Sequence, residues 1–94
     1  MNLTIGSKVL LKKKMLGEQV NSIGYIVSEY PDFDDKTKVG VQIIFENGGF
    51  DGFSAVEQDL WLKDLGVNPL YTDYVFENVW KVEQDRRNGY WKFE

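Results

Sequence analysis

Three aspartates within one short segment, Asp32, Asp34 and Asp35, have the spacing that comes closest to a metal site in this 94-residue chain. A calcium loop of the helix–loop–helix type needs oxygen ligands at its first, third and fifth positions and a glutamate at its twelfth. Counted from Asp32, the fifth position is Lys36 and the twelfth is Ile43. The segment therefore predicts a solvated turn, and we expect neither a metal ion nor a cofactor.

The composition argues against catalysis. The chain has no cysteine and no histidine, which excludes a thiol nucleophile and removes the most frequent general base and zinc ligand. Its fifteen acidic residues could supply the carboxylate pair of a glycosidase, but no pattern fixes two of them across a cleft. The glycines at 48, 49 and 52 lack the lysine and the following helix of a phosphate-binding loop. We therefore expect a protein that is not an enzyme.

The formal net charge is −4, yet four basic residues are concentrated near the N-terminus, at Lys8, Lys12, Lys13 and Lys14. Attraction to phosphate drives sequence-independent binding of nucleic acids, so an acidic chain is a weak candidate for it. The favoured interpretation of this lysine strip is a solvated strand face that protects a sheet edge. Weak nucleic-acid binding through the strip is a third-ranked alternative.

The fourteen aromatic residues are more than this chain can bury, since the interior of a small barrel holds about six to eight large side chains. Alternation along the predicted strands assigns five of them to the core, and Tyr25 could face either side. The five predicted core aromatics are Phe45, Trp61, Trp80, Trp91 and Phe93.

Other aromatic residues lie in loops or on the polar side of their strands, and some of them adjoin acidic residues. Aromatic anchors dominate the binding energy of protein interfaces, so these residues predict a protein-binding surface whose aspartates orient a basic partner. In the competing interpretation, the C-terminal third of the chain covers all of these aromatics. The predicted surface comprises Tyr30, Phe33, Asp34, Asp35, Phe50 and Tyr90.

Short β-branched and aromatic runs separated by turn residues predict antiparallel strands. The clearest strand is 38–46, in which every second residue from Val39 to Phe45 is apolar. Ile44 interrupts the opposite, polar face, so we expect that face to be partly covered. The other predicted elements are strands at 9–11, 23–30 and 50–54, a polar turn at 17–21, and a loop at 32–37 after Pro31 ends the second strand.

Two local motifs predict how these elements are joined. Asn47-Gly48-Gly49 supplies the positive φ angle of a tight hairpin turn. Ser54, followed three residues later by Glu57, forms a capping box. The box predicts one or two helical turns before Leu60-Trp61-Leu62.

The last third of the chain allows two interpretations. We favour a short helix over 72–79, followed by a hairpin that turns at Arg87-Asn88-Gly89 and returns through residues 90–93. In the competing interpretation, a strand over 79–83 leads into the same turn. The helix prediction is based on four residues that share one face at helical spacing, which are Tyr71, Val75, Val79 and Val82.

Valine-rich segments with a glycine at each bend follow one another along the first two thirds of the chain. They are Gly6 with Val9, Gly24-Tyr25-Ile26-Val27, Val39-Gly40-Val41-Gln42-Ile43-Ile44-Phe45, Asn47-Gly48 and Asp59-Leu60-Trp61-Leu62. This order resembles the SH3-like small barrels, a group that includes KOW-type and Tudor-like modules.

The resemblance implies a mainly β fold, a small antiparallel barrel over about residues 6–62 with one short helix. Residues 66–94 would form a C-terminal hairpin or extension of a single domain, 1–94. The resemblance also implies a binding module, because barrels of this group bind peptides, nucleic acids or other proteins. Fold alone does not fix function.

The favoured function is non-catalytic binding of a protein partner through an acidic, aromatic-bearing surface. The alternative is an acidic inhibitor, of the phage-encoded type, that presents carboxylates as phosphate surrogates to a nucleic-acid-binding enzyme. We expect a cytoplasmic location, because no run of about 18 apolar residues could span a membrane. The lysines at 12–14 also interrupt the apolar run near the N-terminus, which makes a poor secretory signal.

Overall fold

Alternating apolar residues and tight turns fold the first two thirds of the chain into one antiparallel sheet. The structure is a computed structural model that describes residues 2–13 and 19–94. The sheet order is β4-β3-β2-β1-β5, so β4 and β5 are its two edges and the sheet is not closed. Within the described residues the strands are β1 (Ser7–Leu11), β2 (Ile23–Pro31), β3 (Val39–Phe45), β4 (Phe50–Phe53) and β5 (Leu62–Val67).

Three helical segments accompany the sheet in the described part of the chain. They are α1 (Ala55–Trp61) between β4 and β5, a 3-10 turn at Pro69–Tyr71, and α2 (Val79–Arg87). The predicted mainly β fold is confirmed.

No helix among the described residues combines the length and the apolar character needed to cross a membrane. Lys14 of the lysine strip lies outside the described residues, and the predicted turn at 17–21 lies partly outside them.

One face of the sheet carries a first apolar core. Val41, Ile43 and Phe45 of β3 are completely buried in it, which confirms the inward face predicted from their alternation. Trp61, at the end of α1, packs against this core and is half-buried. The other buried members are Leu3, Val9, Leu11, Ile26, Phe53 and Leu62.

Both predicted local motifs form. Gly48 has a φ of +98°, and its amide donates to the Phe45 carbonyl at 2.9 Å, which closes the turn between β3 and β4. Ser54 Oγ accepts a hydrogen bond from the Glu57 amide at 3.3 Å, and Glu57 Oε1 accepts one from the Ser54 amide at 2.9 Å. This reciprocal pair satisfies two otherwise unbonded amides and starts α1.

The other face of the sheet is covered by residues 69–94, which we call the C-terminal layer. Tyr25, Val27 and Ile44 of the sheet are buried against Tyr71, Val82 and Trp91 of the layer in a second apolar core. The position of Ile44 confirms that the second face of β3 is covered. The layer also packs the half-buried side chains of Tyr74, Phe76 and Phe93 against this core, together with Phe50 of β4.

The helix predicted over 72–79 is wrong, because α2 begins at Val79. The Asn78 side chain accepts a hydrogen bond from the Lys81 amide at 2.8 Å and caps the helix at that point. Val75, a member of the predicted helical face, is 74% exposed. The helical spacing therefore coincided with buried positions only at Tyr71 and Val82.

The predicted C-terminal hairpin is also wrong, as is the competing strand over 79–83, because both segments belong to α2 and its cap. Gly89 has a φ of +76°, and its amide donates to the Arg86 carbonyl at 3.0 Å. The Tyr90 amide donates to the Asp85 carbonyl at 2.9 Å. These two bonds form a Schellman motif, so Asn88-Gly89 ends a helix.

Among the predicted core aromatics, Phe45 and Trp91 are buried and Phe93 is half-buried. The predicted core position of Trp80 is wrong, since its side chain is 85% exposed. Val82 is the buried residue of α2. A residue two positions earlier on a helix points about 160° away from it, so burying Val82 turns Trp80 toward solvent.

Candidate functional site

The six residues predicted as one surface divide between two places in the fold. Tyr30 of β2 pairs with Gly40 of β3, and Phe50 of β4 pairs with Ile44 of β3. Gly40 and Ile44 are four residues apart on β3, about 13 Å at the usual strand spacing. Tyr30 therefore lies near the connection between β2 and β3, and Phe50 lies near the opposite end of the sheet.

Phe33, Asp34 and Asp35 lie together in the connection between β2 and β3. We call residues 30–38 the Phe33 loop. The Phe33 side chain is 93% exposed, the largest exposure among the exposed large apolar side chains of the described residues. Asp34 is exposed and Asp35 is half-buried. The loop thus presents an aromatic ring and two carboxylates together to solvent.

Hydrogen bonds within the Phe33 loop fix its backbone. The Asp32 amide donates to the Lys38 carbonyl at 3.1 Å, and the Lys38 amide donates to the Asp35 carbonyl at 3.0 Å. Asp32 Oδ2 accepts from the Asp35 amide at 3.1 Å, and Asp35 Oδ1 accepts from the Thr37 amide at 3.0 Å. Side chains of this kind hold turns without help from a neighbouring strand.

The Asp32 carboxylate also ties the loop to α1. Its Oδ1 accepts a hydrogen bond from the Ala55 amide at 3.1 Å, one of the amides at a helix N-terminus that lack a partner within the helix. Asp32 is buried. The aspartate that begins the apparent calcium pattern is therefore occupied by two backbone amides and positions the loop.

Beside the exposed ring lies an open groove of about 400 Å³. Tyr30 forms one wall, and its ring rests directly on Gly40, since a Cβ atom at position 40 would lie 2.3 Å from that ring. Close packing on a glycine backbone holds an aromatic ring in one orientation. The lining residues are Tyr30, Pro31, Asp32, Phe33 and Lys36.

The charges around the groove are mainly negative. Burial raises the pKa of the Tyr30 hydroxyl, and the nearby carboxylates of Glu57 and Asp32 raise it further, so Tyr30 stays neutral at physiological pH. Hydrogen bonds from the Thr37 hydroxyl and amide lower the pKa of Asp35, which therefore stays ionised. Lys36 is the one basic residue that lines the groove among the described residues.

Phe50 and Tyr90 belong to the aromatic packing of the C-terminal layer. The Phe50 ring stacks on Phe76 with centroids 6.1 Å apart and an interplanar angle of 14°. Tyr90 is 44% exposed, and its ring centroid lies within 6 Å of those of Tyr71, Tyr74 and Trp91. Phe50 is therefore partly covered by the C-terminal layer, and Tyr90 is partly covered by other aromatic rings of that layer. Neither residue lies at the Phe33 loop.

Two residues that contribute to exposed surfaces were missed in the sequence. Lys36 lines the groove, and Trp80 stands on the outer face of α2. The Trp80 position was open to prediction, because Asn78 is a favoured N-cap residue three positions before Lys81. A helix starting there with Val82 inward places Trp80 outside.

Within the part of the chain that the structure describes, no three acidic side chains are grouped so that they could hold a metal ion. Comparison with protein-family models, with curated proteins and with solved structures finds no match to this chain. The geometry and electrostatics of the Phe33 loop therefore make it the candidate functional site.

Proposed function

We propose that the protein is a non-catalytic binding module that recognises a basic protein partner through the Phe33 loop. The observation that carries the proposal is the 93% exposure of Phe33 on a backbone held by its own hydrogen bonds. Aromatic residues of this kind are typical anchors of protein interfaces. A rigid loop also loses little conformational entropy when it binds, which favours affinity.

The charges on the loop support a basic partner. Asp34 and Asp35 directly follow Phe33 in the loop, and the net charge of the chain is −4. Opposite charges at the rim of an interface mainly speed association and select the partner, while the buried anchor slows dissociation. We assign anchoring to Phe33 and Tyr30, and orientation of the partner to Asp34 and Asp35.

We further propose that the five-stranded sheet is an open variant of the SH3-like small barrel. The antiparallel order β4-β3-β2-β1-β5 and the placement of α1 immediately before β5 support this relation. A bulge between Ile26 and Ser28 interrupts the pairing of β2 with β3, and bulges of this kind bend strands toward closure. In small barrels, loops at the strand ends are common sites of ligand binding.

Retention of cellular proteins on immobilised variants tests the binding function. Phe33→Ala should weaken binding of the true partner by ~1–3 kcal/mol while leaving the midpoint of urea unfolding nearly unchanged, because the exposed ring buries little in the free protein. Leu70→Ala is the matched control, since Leu70 is another exposed apolar residue, 73% exposed, outside the loop.

A partner is a protein that the parent and Leu70→Ala retain and Phe33→Ala loses, with its affinity then measured by calorimetry. Asp34→Lys should slow association with that partner, most clearly at low salt. The proposal fails if no retained protein distinguishes Phe33→Ala from Leu70→Ala. It also fails if Phe33→Ala unfolds the protein, because Phe33 would then be part of the core.

A further inference from the structure

A second exposed apolar surface lies where α2 begins. Val75 is 74% exposed, Val79 is 47% exposed and Trp80 is 85% exposed. These three residues, which we call the Trp80 patch, fall within six consecutive positions of the C-terminal layer. Single exposed apolar residues of this size are ordinary, whereas several close together on a surface mark an interaction site.

Trp80 belongs to neither apolar core of the residues that the structure describes. Val82 is buried in the second core, and the Asn78 side chain caps the helix. Asp85 Oδ2 accepts a hydrogen bond from the Tyr74 hydroxyl at 2.8 Å, which ties α2 to the segment before it, and Asp85 Oδ1 accepts one from Lys81 Nζ of the same helix at 2.6 Å. The helix is thus held on its inner side, and Trp80 stands on a fixed support without contributing to the core.

Two acidic residues close to the Trp80 patch in sequence, Asp73 and Glu77, are exposed, and the charge of Glu77 also attracts Lys81. Asp73 and Glu77 make no ion pair and no side-chain hydrogen bond within residues 2–13 and 19–94. The acidic side chain of Glu83, in contrast, is paired with Arg86 at 2.6 Å and with Arg87 at 3.1 Å. An exposed tryptophan near exposed carboxylates that make no hydrogen bond favours a cation with an apolar stem, because the indole face also attracts cations.

We propose that the Trp80 patch is a second docking surface, which takes a basic amphipathic segment of a partner protein. Trp80 packs against an apolar side chain and an adjacent lysine or arginine of that segment, and Asp73 and Glu77 face its positive charges. This surface lies on the C-terminal layer, apart from the Phe33 loop, so it goes beyond the binding function proposed above.

Calorimetry with two synthetic helical peptides of about five turns tests the proposal on the full chain. One peptide combines leucine with lysine, and its matched control combines leucine with glutamate. The leucine–lysine peptide should bind the parent, and Trp80→Ala should weaken that binding about tenfold or more. Leu70→Ala should change it by less than about twofold. Glu77→Lys should also weaken binding, with an effect that shrinks as salt rises.

Several outcomes would overturn the second surface. They are equal binding of the two peptides, no binding of the leucine–lysine peptide, and equal losses in Trp80→Ala and Leu70→Ala. A loss in Phe33→Ala with no loss in Trp80→Ala would place the peptide on the Phe33 loop, which contradicts this proposal and leaves the proposed function standing. Val75→Ala tests the same patch if Trp80→Ala does not fold. A dimer in sedimentation that Trp80→Ala abolishes would identify a second copy as the occupant and contradict a heterologous partner.

Discussion

Phe33 and Phe45 are the same residue type in opposite surroundings. Phe45 is completely buried in the first core, where its ring meets that of Phe53 edge-on with centroids 6.5 Å apart. Phe33 is almost wholly exposed. Because hydrophobic stabilisation follows the apolar area removed from water, one ring stabilises the fold and the other is available to a partner.

Phe45→Ala should lower the free energy of unfolding by about 3–5 kcal/mol, through lost burial and the cavity that remains. A loss of this size can unfold a domain of marginal stability. Urea unfolding followed by circular dichroism measures the change, with Phe33→Ala as the matched control of equal chemistry. A midpoint that barely moves in Phe45→Ala would contradict the assignment of this face of β3 to the core.

Tyr74 makes the stability of the protein depend on pH. Burial raises the pKa of its hydroxyl well above the usual value, and the hydrogen bond and charge of Asp85 raise it further. Ionisation of Tyr74 therefore opposes folding. The neutral hydroxyl contributes fully to the free energy of unfolding below about pH 10, and this contribution is lost as the pH rises through the folded-state pKa. Tyr74→Phe should flatten the fall of stability above about pH 10, as measured by urea unfolding across that range. Equal pH dependence in variant and parent would contradict the buried hydroxyl.

At the scale of elements, the turn between β3 and β4 depends on a backbone conformation that favours glycine. Gly48 has a φ of +98°, and a Cβ atom there would lie 3.1 Å from the Arg86 guanidinium. Gly48→Ala should destabilise the protein by about 1 kcal/mol and Gly48→Val by more. Gly52→Ala is the control, because its Cβ would meet neighbours at 3.5 Å or beyond with no positive φ; it should change stability by less than about 0.5 kcal/mol. Equal melting of the two alanine variants would remove support for the strained turn.

Elements whose partners are close in sequence could be predicted, and elements defined by distant contacts could not. The turn at Gly48 and the capping box at Ser54 involve residues four positions apart or fewer. Asn88-Gly89 is compatible locally with both a hairpin turn and a helix cap. The choice was made by burial of Val82 against the sheet, a contact that periodicity alone does not reveal.

The candidate site shows the same division. The loop that carries Phe33, Asp34 and Asp35 could be identified, since these residues are consecutive and follow Pro31. The separation of Tyr30 from Phe50 depends on the register of three strands, including the shift between Ile26 and Ser28. Register across a bulge is a property of the assembled sheet, so the sequence suggested one surface where the structure has two places.

At the scale of the whole molecule, charge predicts how the protein behaves toward nucleic acids. Lys8 Nζ donates a hydrogen bond to the main-chain oxygen of Glu94, and Lys12 Nζ donates one to the main-chain carbonyl of Asp59. Together with the net charge of −4, this favours dissociation constants no tighter than about 10⁻⁴ M for DNA or RNA at physiological salt. Fluorescence anisotropy with labelled oligonucleotides at several salt concentrations measures this. A salt-dependent micromolar affinity would favour the lysine strip as the binding surface.

The second core also affects the order in which parts of the protein fold. The Tyr25 hydroxyl bonds to the Lys92 carbonyl, 67 residues away, and accepts a hydrogen bond from Asn68, 43 residues away. Contacts between distant residues form late, because the loops that they close must first be brought together. During refolding, the hairpin of β3 and β4 can therefore assemble before the C-terminal layer arrives. A chain between these two events exposes Tyr25, Val27 and Ile44, an apolar face that the native protein buries and that favours aggregation for as long as it is exposed.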